Sequence, residues 1–154
     1  MQIILVRHGE AEPLKRTDAE RNLTLDGLHQ AQQSGAWLLN HQYVLDGLFS
    51  SPYFRARQTA NELSNILEVP VTQTDRITPD RDPREVAAWL DSLELPDEAV
   101  IALVCHMPLV GRLAGWLCDG VDGGGRFSLA EVRVIELPSP AAGQGKAIAG
   151  FVPH

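Results

Sequence analysis

Two kinds of apolar pattern alternate along this chain. Short unbroken runs, IILV (3–6) and AVIALVCH (99–106), are apolar on successive residues, as strands buried on both faces are. Longer segments between them repeat apolar positions at helical spacing: Leu28, Ala31, Leu38 and Leu39, then Ala56, Ala60, Leu63 and Leu67, then Val86, Leu90 and Leu93. GLFSS (47–51) reads as another strand, and VPVTQT (69–74) as a strand near a sheet edge. AEVRVIEL (130–137) alternates as a strand, AIAGFV (147–152) is a candidate sixth, and PLVGRLAGWLC (108–118) is a last helix. Strands alternating with helices predict an α/β protein, a three-layer α/β/α fold on a mainly parallel central sheet of five or six strands.

Helix starts follow from local chemistry. Thr24 is the expected N-cap of the first helix and Ser51 of the second, with Pro52 at its first helical position. Asp82, Pro83 and Glu85 stand in cap-like order before the third, and Pro108 opens the fourth. Gly35 inside the first helix costs about 1 kcal/mol against alanine, so it marks a place of close packing. DGVDGGGR (119–126) has the glycines of an anion-binding nest, but reads first as a mobile surface connection.

Composition narrows the function classes. At 154 residues the expectation is one domain spanning 1–154 with a real core, and 44% apolar with 21% charged residues is ordinary for a globular protein. A formal net charge of −7 argues against nucleic acid as partner, since phosphate backbones reward a basic face. Cys105 and Cys118 are too few for a disulfide framework and read as buried thiols in a reducing compartment. Neither a leader pattern nor an apolar run near about 18 residues precedes or interrupts these elements, so the expected location is cytoplasmic, with no membrane partner.

One strand ends at Arg7-His8, a second at Cys105-His106, and a third runs into a helix carrying Arg55 in its first turns. Ligands of open parallel sheets bind beyond the carboxyl ends of the strands. If these strands are neighbours, two guanidiniums, two imidazoles and helix N-termini converge, a set suited to a phosphoryl dianion. Arg55 also sits where the helix dipole favours an acid, and such local violations gather at functional sites.

The motifs carry a resemblance. LVRHGEAE, NLTLDGLHQA, SSPYFRARQTA and LVCHMPLV resemble, in order, four segments of the histidine phosphatase superfamily, the phosphoglycerate-mutase-like fold, over residues 3 to 110. The shortness of the chain and its RHGEAE…D..RNLT opening are most similar to the SixA-type phosphohistidine phosphatases within it. The resemblance implies that His8 is the nucleophile and that Arg7, Arg55 and His106 bind the phosphoryl group.

The residue types support that chemistry. Neutral His8 attacks phosphorus in line, and water hydrolyses the phosphohistidine intermediate. Neighbouring arginines disfavour its protonation, and a carbonyl near Gly9 is a fitting acceptor for its other ring nitrogen. The cationic groups do the work that metal ions do elsewhere, so no metal and no cofactor is implied. A metal site on His8 and His106 needs a third ligand, and the arginines repel a cation. Cys105 points away from the face His106 uses.

The general acid is less defined. Asp75, Asp80, Asp82 and Glu85 lie in the expected segment, with Asp82 and Glu85 occupied as caps. Asp18 fits the D..R spacing and is the favoured candidate for the acid, with a solvated loop acid as the alternative; Arg21, three positions on, is a candidate phosphate ligand, with a surface role as the alternative. The P–N bond of phosphohistidine releases an imidazole that leaves more readily than an alkoxide, so a weakly placed acid suffices. Residues 68–98 leave little chain for a lid, which predicts a shallow site suited to a phosphorylated protein, such as a histidine-containing phosphotransfer domain. A small phosphate ester or nucleotide is the alternative substrate, and a non-catalytic phosphate-binding module the alternative class.

Overall fold

Alternate residues of the two central strands serve different layers. Ile4, Val6, Ala102 and Val104 pack into one apolar cluster, Ile3, Leu5, Leu103 and Cys105 into the other. That split is the reason both strands read as unbroken apolar runs. The computed structural model describes residues 1–14 and 16–154. Its strands are β1 (Gln2–Arg7), β2 (Gly47–Ser50), β3 (Val71–Gln73), β4 (Val100–Cys105), β5 (Val132–Glu136) and β6 (Lys146–Phe151). The helices are α1 (Leu25–Asn40), α2 (Phe54–Leu67), α3 (Pro83–Ser92) and α4 (Leu109–Asp119), with short 3-10 turns at Asp18–Glu20 and Asp75–Ile77.

The sheet order is β3-β2-β4-β1-β5-β6. The first four strands pair in parallel, whereas β5 runs antiparallel to both β1 and β6. The sheet is therefore mainly parallel with an antiparallel side, and β3 lies at an edge as its short polar-flanked run predicts. Leu38 of α1 with Ala56, Ala60 and Leu63 of α2 covers one face. Val86 and Leu90 of α3 with Leu109, Val110 and Leu113 of α4 covers the other.

Where α1 meets α2, a Cβ on Gly35 would lie 2.7 Å from the end of the Ile66 side chain, which explains a glycine mid-helix. The buried stripe of α1 runs through Gly27, Ala31, Ser34 and Leu38; Leu39, one helical step off it, is exposed, contrary to the periodicity reading. Thr24 caps α1 by accepting from Gly27 N–H, and Asp82 caps α3 through Arg84 N–H, both as expected. Between α2 and β4, Ile77, Val86 and Leu90 are core residues that anchor this stretch to the sheet. Among the described residues no helix is long and apolar enough to cross a membrane.

Candidate active site

Because β1 and β4 pair in parallel with Arg7 opposite Cys105, the next residue on each strand is a histidine on the same face. His8 N–H donates to Cys105 O at 3.1 Å, and the two imidazole centroids stand 5.3 Å apart. Cys105 falls on the opposite face, fully buried among α3 and α4 side chains, and that burial pushes its thiol up to about 12. Cys105 and Cys118 are both free thiols.

His8 is fixed by its own turn. Its Nδ1 lies 2.7 Å from Gly9 O, and since a carbonyl only accepts, Nδ1 carries the proton and Nε2 keeps the lone pair. Gly9 must be glycine: a Cβ there would lie 2.5 Å from Gly27 O at the start of α1. Gly9 N–H donates to Thr59 Oγ1 at 3.0 Å, and the Thr59 hydroxyl donates to Arg55 O at 2.8 Å. The turn behind His8 is thereby tied to the helix that carries Arg55. Burial first, with Arg55, Arg7 and Arg21 adding to it against the pull of the Gly9 hydrogen bond, lowers the His8 pKa to about 4. The ring is neutral at pH 7.

His106 is buried, with Nε2 2.8 Å from Ser51 Oγ and the ring edge-on to Tyr53 at 5.0 Å between centroids. Burial first, then His8 and Arg55, lowers its pKa to about 2. Its Nδ1 is buried without a hydrogen-bond partner among the described residues, as are Nε of Arg7 and Nε of Arg55. Two buried guanidinium N–H groups and an unpartnered imidazole nitrogen close to His8 suit an anion with several acceptor oxygens.

Arg55 is 4% exposed, unusual for the second residue of a helix, and α2 has no acid of its own in its first turn. Asp18 supplies one from outside. Its carbonyl accepts from Arg55 Nη1 at 2.7 Å and its Oδ2 from Nη2 at 3.0 Å. Arg21 donates to Asp18 Oδ1 at 3.0 Å and to Glu12 O at 2.7 Å. Partial burial works against the charge of Asp18, but the hydrogen bonds from Arg21 and Arg55 outweigh it and hold the carboxyl below its usual range. Arg7 reaches the other way, donating from Nη1 to Phe127 O at 2.8 Å.

All six residues expected from sequence therefore sit in one region. The other acids do not join them. Asp82 caps α3 and pairs with Arg84, Asp75 pairs with Arg81, and neither Asp80 nor Glu85 hydrogen-bonds to this group among the described residues. Ser51 is a correction: α2 begins at Phe54 behind Tyr53, with no side-chain cap, and the Ser51 hydroxyl goes to His106. Pro52 consequently lies ahead of the helix. Pro108 likewise stands just before α4, as its N-cap. Thr59 and Tyr53 went unnoticed in the sequence, and the QTA following Arg55 was the available signal for Thr59. Among the described residues no group of three or more His, Cys, Asp and Glu is arranged to hold a metal ion. A cavity of about 690 Å³ beside α4 is lined by neither histidine, nor by Arg7 or Arg55.

Comparison with known proteins gives this arrangement its relatives. Residues 3–78 match the family model of the histidine phosphatase superfamily (branch 1). The chain is 32% identical over 122 residues to the phosphohistidine phosphatase SixA of Escherichia coli, covering 78% of this chain and 76% of that one. It is 34% identical to the SixA homolog of Haemophilus influenzae, covering 76% and 77%. Among solved structures, the protein histidine phosphatase SixA complexed with tungstate superposes with a TM-score of 0.90 at 28% identity, over 99% of this chain and 97% of that one.

Proposed function

The chain belongs to the histidine phosphatase superfamily and is a phosphohydrolase, and on that premise we propose that it removes the phosphoryl group from phosphohistidine on a protein, by way of a phosphoenzyme on His8. The observation that carries the reading is the orientation of His8: Nδ1–H held by Gly9 O at 2.7 Å, Nε2 without a hydrogen bond among the described residues, and His106 alongside.

The Nε2 lone pair attacks phosphorus as the P–N bond of the substrate breaks, its electron pair leaving on the substrate imidazole, which takes a proton. Water then attacks the phosphorus on His8, the P–Nε2 bond breaks, and inorganic phosphate departs with neutral His8 restored and a proton returned to solvent, matching the one that the leaving imidazole takes from solvent in the first step. Arg7, Arg55 and the Nδ1–H of His106 hold the equatorial oxygens through both steps. The low pKa of His8 keeps it a nucleophile at neutral pH. Asp18, ionised between two arginines, is suited to holding Arg55 and poorly suited to donating a proton, and an imidazole leaving group tolerates that. Arg21 holds Asp18 in turn. A phosphorylated histidine-containing phosphotransfer domain is the partner class that fits, since the short stretch between α2 and β4 is anchored to the core by Ile77, Val86 and Leu90.

The test is incubation with such a phosphorylated domain, with and without chelator, and against His8→Ala. Phosphate release that ignores chelator, and an acid-labile label on His8 that the variant lacks, support the proposal. Activity that survives His8→Ala overturns the mechanism. Far faster turnover of small phosphate esters overturns the substrate.

A further inference from the structure

The glycine loop read from sequence as a mobile surface connection is tied down at both ends. Arg112 of α4 binds Asp122 with two hydrogen bonds, 2.8 and 2.7 Å, and Arg84 adds a third at 3.2 Å. Gly125 N–H donates to Gly111 O at 3.2 Å, and a Cβ on Gly111 would strike Gly125 O, so loop backbone rests directly on α4. Past the glycines, Phe127 is buried, its carbonyl accepts from Arg7, and its ring lies under the Arg133 guanidinium at 3.9 Å. Arg133 also donates to Arg126 O at 3.2 Å.

Arg126 is thus held through its backbone at the edge of the phosphoryl pocket while its side chain is exposed. That side chain has no hydrogen bond or ion pair among the described residues. Its charge bears on Arg7 next after burial and ahead of Arg55, which places it on the Arg7 side of the site, whereas Asp18 and Arg21 attend Arg55. In a chain with 20 acidic and 13 basic side chains, a cation set beside another cation with no carboxylate of its own awaits an anion from elsewhere. The phosphoryl group already faces Arg7, Arg55 and His106, so the group that meets Arg126 is one flanking it.

Resting on the reading of a phosphohistidine protein as substrate, we propose that Arg126 is a specificity-determining residue that pairs with an acidic side chain next to the phosphohistidine of the partner. A solvent-exposed pair of this kind acts mainly on encounter and is weakened by salt.

The test compares two probes: a phosphorylated histidine-containing phosphotransfer domain, and N-phosphoimidazole, which carries the reacting bond without flanking carboxylates. At low salt Arg126→Ala should raise KM for the domain about threefold to fivefold with kcat within about twofold, Arg126→Glu should raise it further, and Arg126→Lys should recover most of the loss. Turnover of N-phosphoimidazole should stay unchanged. Raising salt should bring wild type and Arg126→Ala together, as should amide replacement of the domain's acids beside the phosphohistidine. Equal losses on both probes would assign Arg126 to the phosphoryl group itself and overturn the proposal, as would no loss on either. Wild-type enzyme that hydrolyses N-phosphoimidazole and leaves the domain phosphorylated overturns the underlying substrate reading and this proposal with it, a result distinct from either of the others. Unfolding midpoints equal to wild type show that the variants fold.

Discussion

Asp18 lies across the guanidinium of Arg55, its backbone carbonyl 2.7 Å from one nitrogen and its carboxylate 3.0 Å from another. The pair answers the helix-dipole misfit of Arg55, because the acid that belongs at the α2 N-terminus arrives from the turn at Asp18–Glu20. It also makes the two halves of the contact separable by substitution.

In Asp18→Asn the backbone carbonyl still holds Arg55, and only the negative charge is lost. The expected outcome is tighter inhibition by an oxyanion such as vanadate, about twofold to fivefold, since a dianion no longer meets a carboxylate. Turnover of phosphohistidine should fall by less than about tenfold, and the change should not depend on the leaving group across a series of aryl phosphates. A steep new dependence on leaving-group pKa would mark Asp18 as the proton donor.

Protonation of two buried imidazoles contributes to the loss of stability in acid. His8 is lowered to about 4 and His106 to about 2, in both cases by burial first. Each binds its proton near pH 6.5 once unfolded, so the unfolded state holds more protons below that pH and stability falls as pH drops. The loss should begin near pH 6.5, continue through pH 4 for His8 and persist below that for His106. Unfolding midpoints in urea between pH 7 and 4.5 measure it, and near pH 5 the slope should report uptake of about two protons from these residues. Replacing both histidines with glutamine should flatten the profile. A slope unchanged in that variant would mean the rings are not held neutral.

Much of this was legible along the chain, and the parts that were not share a cause. His8 and His106 read as strand-end residues because period-two burial of β1 and β4 is a local property, and register then places them together. Arg55 stood out by violating a helix-end preference. Ser51 was misread because a serine before a proline satisfies the local rule for an N-cap, while its hydroxyl is claimed by a residue 55 positions away. The Arg7 contact with Phe127 spans 120 positions, and no spacing rule reports it. Leu39 failed for a different reason: at the end of α1 one step of 100° separates it from Leu38 and from the core.

Thr59 joins two parts of the site through one hydroxyl, accepting from Gly9 N–H and donating to Arg55 O. Thr59→Val keeps the shape and leaves the buried Gly9 N–H unpaired, at a cost of about 1–3 kcal/mol. Urea unfolding at pH 7 should show that loss, and kcat should fall with it because the turn holding His8 loosens. Thr59→Ser retains the hydroxyl and should recover both. Full activity in Thr59→Val would detach His8 placement from this contact.

The contact between Ser51 and His106 bears on which nitrogen of His106 carries the ring proton. Ser51 Oγ accepts from Tyr53 N–H at 3.3 Å, which leaves its own hydrogen free for Nε2 of His106 at 2.8 Å. Donation to Nε2 obliges the ring proton to sit on Nδ1, the buried nitrogen with no partner among the described residues. Ser51→Ala withdraws that bias, and the neutral ring then divides between tautomers, only one of which can donate to a phosphoryl oxygen from Nδ1. The expected result is a fall in kcat/KM of about tenfold or less, carried mainly by kcat, because one donor is lost for part of the time. Nitrogen-15 chemical shifts of His106 should report Nδ1–H in the wild type and a mixture in Ser51→Ala. Ser51→Thr keeps the hydroxyl and should keep the wild-type tautomer. A wild-type spectrum with the proton on Nε2 would reverse the direction of the Ser51 hydrogen bond and remove His106 Nδ1 as a donor to the phosphoryl group.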